Sequence, residues 1–164
     1  MKRLLIAVVA ALNLLAVDAV VKEISVARLK GAAAVPVIPG FFDLAYVENR
    51  GCAWGMFQGH VWPLAVFGLV ALAFLLWKRR AIFCLDSPSA LSARLGAVAE
   101  PLLYAGIVGN AIDRVFRGFV VDMLDFHWGV HHFPCFNLAD VFICVAAGLI
   151  ALESFLPRSG KKGA

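Results

Sequence analysis

The segment "DMLDFHWGVHHFPCFNLAD", residues 122–140, carries three aspartates, three histidines and a cysteine among apolar neighbours. Two chemistries are open to such a set. Asp122 or Asp125 could meet Asp140 as a carboxylate pair. Like charges a few ångströms apart resist double ionisation, so such a pair holds one proton between them. The ionised member can take a proton from water while the protonated member polarises a carbonyl, which is peptide hydrolysis without a metal or a covalent intermediate. Alternatively His127, His131, His132 and Cys135 could ligate a metal. His127 and His131 share a face only in a helix, and Trp128-Gly129-Val130 argues against one, so these histidines read as loop residues at a membrane interface. No metal is expected, and no other cofactor.

Further polar groups accompany the acids. Asn110, Asp113 and Arg114 are spaced i, i+3, i+4 and share one helix face. Asn137 stands three residues before Asp140, the spacing of a helix N-cap with an acid in the first turn. A helix N-terminus there favours negative charge on Asp140, which would split the two acids of a pair. Asp18 precedes Lys22 by four residues, the favourable order for an intrahelical ion pair. Asp122 and Asp125 are three apart: one face in a helix, opposite faces in a strand. Their flanks are apolar throughout and leave that choice open.

These groups are embedded in a chain built for a bilayer. Of its 164 residues, 62% are hydrophobic and 16% charged, and the mean hydropathy is +0.87. A soluble globular domain is far less apolar. The net charge of +4 falls at the ends of apolar runs rather than on one patch, which excludes a nucleic-acid binder. Four runs approach the ~20 residues a helix needs to span the hydrocarbon core, at about 4–21, 61–77, 95–112 and 138–156. Asp18 and Asn13 within the first run favour a retained helix over a cleaved signal peptide. If the four alternate, Lys2, Arg3, Lys78, Arg79, Arg80, Arg94, Arg158, Lys161 and Lys162 share one side. The positive-inside rule then puts both termini in the cytoplasm and residues 22–60 and 113–137 outside. Asp18, Asp113, Arg114, Asp122 and Asp140 gather at the outer ends of the spans. Ionisable groups near the core cost at least ~2.5 kcal/mol each at mid-span, so five at one level mark a site.

Between the first two spans, Pro36, Pro39 and Gly40 break any helix, and residues 33–49 read as one or two short strands at the membrane surface. Phe41, Phe42, Tyr46, Trp54, Phe57 and Trp62 suit an interfacial aromatic belt. Residues 78–95 read as a plain inner loop turning at Pro88. Glu100 sits near the start of the third span. Cys52 and Cys135 both face outward, leaving a disulfide open, although small apolar filling is the simpler role for all four cysteines.

Taken together, "VVDMLDF" (120–126), "FNLAD" (136–140), "GNAIDR" (109–114), "ENRGCAWG" (48–55) and the Asp18/Lys22 pair resemble the motifs of the lipoprotein signal peptidases, signal peptidase II, in the family's order and over nearly the whole chain. The resemblance implies an all-α integral membrane protein, a single peptidase domain over 1–164 with four spanning helices and a small β-cradle on the outer surface. It implies an aspartic endopeptidase of the bacterial inner membrane, acting as a monomer near the outer face. Its substrates would be prolipoproteins, cut just before a cysteine carrying diacylglycerol. By motif, Asp122 and Asp140 would be the catalytic pair, and Asn110, Arg114 and Asn137 would shape the site. Asp18 and Lys22 would brace the first helix, Asn49 and Gly51 would help bind substrate, and Asp113 would pair with a nearby arginine. A metal-dependent membrane hydrolase, or a non-enzymatic scaffold or transporter with its acids along an ion path, are the rival expectations.

Overall fold

The computed structural model describes residues 2–156; the expected inner-side residues Arg158, Lys161 and Lys162 lie outside them. Among the described residues, four helices, α1 (Lys2–Leu29), α2 (Val61–Ile82), α3 (Ala90–Arg117) and α4 (Leu138–Ser154), and four strands, β1 (Val35–Ile38), β2 (Phe42–Asn49), β3 (Val120–Trp128) and β4 (His131–His132), run in the order α1-β1-β2-α2-α3-β3-β4-α4. A 3-10 turn, Ala53–Gly55, lies between β2 and α2.

α1, α2 and α3 are longer than their apolar runs because charged residues at their ends find partners, whereas α4 ends at Ser154, inside its expected run. α2 continues through Lys78, Arg79 and Arg80 to Ile82, and α3 begins at Ala90. The expected inner loop therefore shrinks to residues 83–89, whose first member, Phe83, is fully buried. α3 runs past Asp113 and Arg114 to Arg117 and stops at Gly118, which takes a left-handed φ of 77°. Among the described residues, three helices, α1, α2 and α3, are long and apolar enough to cross a membrane. α4 has 17 residues, about 25 Å at the usual rise, somewhat less than the ~30 Å hydrocarbon core.

α3 is the central helix and packs against α1, α2 and α4. Much of its surface is buried, whereas the outer faces of α1 and α2 expose large apolar side chains such as Ile6 (68%), Phe67 (73%) and Trp77 (73%). Apolar residues turned outward this way suit contact with lipid rather than water. Glycine lets α3 and α4 approach closely: a Cβ on Gly106 would lie 2.5 Å from the Ala139 carbonyl oxygen and 2.6 Å from Ile143 Cγ1. Backbone cannot yield as a flexible side chain does, so Gly106→Ala is expected to lower stability by about 1–3 kcal/mol. Gly148→Ala in α4, where no heavy atom lies within 4 Å, is the matched control and should lose nothing. Thermal melting of both variants in detergent checks the pair.

The chain is not purely helical. The four strands form one antiparallel sheet in order β1-β2-β3-β4. Pro36 is confined to the edge strand β1, where a missing N–H is tolerated. Where one or two strands were expected over 33–49, there are two, β1 and β2. β3 is extended, which decides what its apolar flanks left open: Asp122 and Asp125 point to opposite faces. Asp122 is 1% exposed on the face packed against the helices, while Asp125 pairs across the sheet with Asp43.

Candidate active site

The site is built where one end of the helix bundle meets the sheet. Asn137 is the N-cap of α4. Its Oδ1 accepts from Asp140 N at 3.0 Å, and its own N–H donates to Asp140 Oδ2 at 3.2 Å, a complete capping box. The expected cap is therefore present, and capping does not exhaust Asn137. Its Nδ2 also donates to Asp122 Oδ1 at 2.7 Å and to Asn110 Oδ1 at 3.2 Å. Asn110 Nδ2 completes the circuit by donating to Asp140 Oδ1 at 2.7 Å. One fully buried asparagine thus bridges two carboxylates that lie eighteen positions apart in sequence and on different elements.

Asp122 has a further donor. Asn49 Nδ2 reaches its Oδ2 at 2.9 Å. β2 supplies Asn49 because Asn49 pairs with Val120, two residues before Asp122, so both side chains share one sheet face. Burial raises the Asp122 carboxyl, and the charge of Asp140 raises it further, to about 7. Those two causes outweigh the stabilising bonds from Asn49 and Asn137.

Behind the carboxylates lies a charged support. Lys22 is 2% exposed and sits 2.9 Å from Asp18 Oδ2 and 3.0 Å from Asp113 Oδ2. It also donates to Asn110 Oδ1 at 3.2 Å. Asp18 Oδ1 accepts from the Ala139 N–H at 2.9 Å at the start of α4. Asp113 accepts from Val121 N at 3.1 Å and from Arg117 Nε at 2.9 Å. The arginine expected to pair with Asp113 is thus Arg117, not the adjacent Arg114. Arg114 instead donates to the Gly51 carbonyl oxygen at 3.0 Å and lies within electrostatic reach of both Asp140 and Asp122.

Gly51 belongs to a loop folded back on itself. Gly51 N donates to Asn49 Oδ1 at 2.9 Å, and Cys52 N donates to Met56 O at 2.9 Å. A Cβ on Gly51 would lie 2.4 Å from that same Met56 oxygen, so the position requires glycine. Trp54 and Phe57 hold positive φ values of 60° and 57°, strain of the kind that concentrates at working sites.

Two apolar hollows meet at Asp140. One, of about 940 Å³, runs between α2 and α3 past Phe57, Phe67 and Ile107 to Arg114 and Asp140. The other, of about 420 Å³, is bordered by Asn49, Trp54, Phe133 and Cys144 as well as Asp140. An extended apolar chain lying in either would pass Asp140.

The histidines take a different course from Asp122. β3 and β4 pair His127 with His132, and their rings stack at 4.9 Å. His132 Nδ1 lies 2.9 Å from Asp125 Oδ1, and His127 Nε2 lies 3.4 Å from Asp43 Oδ1. Among the described residues, no three His, Cys, Asp or Glu side chains converge as a ligand set. Cys52 and Cys135 are separate thiols rather than a disulfide.

Glu100 was placed near the start of the third span by the sequence, but its partners were not. Glu100, at 2% exposure, is held by Arg79 at 2.7 and 3.0 Å and by the Tyr104 hydroxyl at 3.1 Å. The i, i+4 spacing of Glu100 and Tyr104 was a usable signal for half of it. Arg79, on another helix, gave none.

Comparison with known proteins points one way. The family model described as "Signal peptidase (SPase) II" matches residues 10–156. A lipoprotein signal peptidase of Syntrophotalea carbinolica is 41% identical, covering 85% of this chain and 84% of the relative. One of Fusobacterium nucleatum subsp. nucleatum is 40% identical over 87% of this chain and 81% of its own length. A bacterial membrane enzyme solved by the in meso method superposes with a TM-score of 0.73 at 28% identity, covering 96% of this chain and 93% of that one.

Proposed function

The chain belongs to the signal peptidase II family, a membrane protease removing signal peptides from prolipoproteins, and on that premise we propose that Asp122 and Asp140 are its catalytic pair. The observation that carries this reading is the Asn137 side chain, which binds Asp122 at 2.7 Å and caps the helix turn that holds Asp140. In this mechanism Asp140 takes a proton from water as it attacks the carbonyl carbon of the scissile bond. Asp122 gives its proton to the carbonyl oxygen, forming a tetrahedral diol. Asp122 then recovers a proton from the diol while Asp140 hands its own to the leaving nitrogen, and the C–N bond breaks. Asn110 and Asn137 keep the carboxylates in register, and Asn49 and Gly51 border the substrate.

We further propose that the cut falls just before a diacylglyceryl cysteine, and that α4 completes a four-helix span. The short α4 suits this, since its capped end carries Asp140 at the membrane surface where a lipid-anchored substrate presents its bond. The termini would lie in the cytoplasm of a bacterial inner-membrane monomer, with the aspartates outside. Reporter fusions after Gly31 and after Gly129 should both read as external; an internal reading at either overturns the topology.

The deciding experiment is a processing assay on purified enzyme with a precursor carrying diacylglycerol on its cysteine, beside the same precursor unmodified. Cleavage of the lipidated form alone, undiminished by strong chelators, is the expected result. Loss with a chelator and recovery with zinc would instead favour a metal-dependent hydrolase.

The same assay carries a pH prediction. The raised carboxyl of Asp122 holds its proton below about 7 and releases it above. Because the mechanism needs that proton, kcat/KM should fall as pH rises through about 7. A rate that keeps climbing well beyond that point would remove Asp122 from the acid role.

A further inference from the structure

The end of the bundle opposite the aspartates carries a second polar assembly, made by the start of α1, the end of α2 and the first turns of α3. Arg3 donates through Nη1 to the Leu85 carbonyl oxygen and so ties α1 to the turn at 83–89. Arg79 is engaged with Glu100 in the bidentate pair described above, so that buried carboxylate is already neutralised. Arg80 meets Asp86 at 3.7 Å with both side chains exposed, an arrangement that holds weakly in water. Lys2 and Arg94 are exposed, and among the described residues neither has an acidic partner within ion-pair distance.

Two adjoining hollows share Arg3 and Leu85. The first, about 330 Å³, is bordered by Lys2, Arg3, Arg79 and Arg80, with Asp86 as its one acid. The second, about 310 Å³, has Arg3, Arg94 and Glu100 on its polar side and Ile6, Ala7 and Ala97 on its apolar side. Five cations therefore face two carboxylates, and one of those two is taken up by Arg79. The wall beside Arg94 continues onto the lipid-facing surface of α1, where Leu5 and Ile6 are 65% and 68% exposed.

We propose that this end of the bundle binds an anionic phospholipid, with its phosphodiester among Lys2, Arg3 and Arg94 and an acyl chain along Ile6 and Ala97. A basic pocket between membrane helices attracts phosphate. Arginine suits it by its planar fork of donors. The apolar wall selects for an amphiphile: a free anion would use the cations and leave Ile6 and Ala97 idle. Lys2 and Arg94 are the binding cations that the fold does not otherwise need, whereas Arg3 also fixes the turn.

The test uses the full chain purified in a zwitterionic detergent, with lipid retention read by native mass spectrometry. Phosphatidylglycerol should be retained in preference to phosphatidylethanolamine. Arg94→Gln should weaken retention about fivefold, and Lys2→Gln with Arg94→Gln about 25-fold, as expected for cations close to an anionic headgroup. Melting temperatures without lipid should be the same for wild type and both variants, because neither side chain is engaged in an ion pair. Added phosphatidylglycerol should raise melting most in the wild type, less in Arg94→Gln and least in the double variant. Equal retention of the two lipids, unchanged retention in the double variant, or soluble glycerol phosphate competing as strongly as the lipid would each overturn the proposal. The last result would mean a site for free anions. The readout is independent of peptide cleavage, so it stands apart from the aspartate mechanism.

Discussion

Asp122→Asn is expected to abolish precursor cleavage, by roughly 10³-fold or more, while Asp125→Asn retains most of it. General acid–base transfer by one positioned group accounts for about 10²–10⁴ in rate. Asn cannot hold or pass the proton that the mechanism asks of Asp122. It also misfits its donors: the carboxylate accepts from Asn49 and Asn137 at 2.9 and 2.7 Å on its two oxygens, and an amide would turn an N–H toward one of them. Asp125 sits on the opposite face of the same strand and binds the exposed ring of His132. Its loss removes a partly solvated pair, worth less than about 1 kcal/mol. Processing of lipid-modified precursor, compared at matched membrane abundance, reads both variants. If Asp125→Asn is inert and Asp122→Asn still cuts, the pair has been wrongly assigned.

The contrast between these two aspartates also marks where sequence stops being informative. Strand parity separates them, but the strand itself could not be read, because Val120, Val121, Met123 and Leu124 are apolar without alternation. Residues 120–123 are all buried, so both faces of β3 are covered there and the usual period-two signal is erased. Local pairings were legible. The cap at Asn137 and Asp140 and the ion pair of Asp18 with Lys22 both lie within one helical turn, where spacing dictates proximity. The hydropathy runs located all four helices but ended each of the first three too early. A hydropathy reading stops at the first charge, whereas α3 continues because Asp113, Arg114 and Arg117 find partners in Lys22, Gly51 and one another. Those partners are distant in sequence. Lys22 reaches Asn110 across 88 positions, and nothing in either local stretch announces it.

Lys22 gives the second large effect. Its ammonium group is 2% exposed and lies against two buried carboxylates, Asp18 at 2.9 Å and Asp113 at 3.0 Å, with Asn110 Oδ1 at 3.2 Å. Removing one partner from such an assembly leaves uncompensated charge in low dielectric, at about 3–5 kcal/mol. Asp113 keeps Arg117, but Asp18 has no second cation among the described ion pairs. Lys22→Met should therefore lower the melting temperature by about 10 °C, at the 2–4 °C per kcal/mol usual for this chain length. The double variant Lys22→Met with Asp18→Asn should melt above Lys22→Met alone, since the stranded carboxylate is gone. That partial rescue distinguishes a charge imbalance from a packing defect, which the second substitution would only deepen. The effect should also extend to catalysis. Lys22 holds the oxygen of Asn110 whose nitrogen holds Asp140, so rescued protein should fold and still cut slowly, with kcat reduced more than KM is raised. A Lys22→Met enzyme that melts and cuts like the wild type would mean that the aspartates are positioned by the capping box alone.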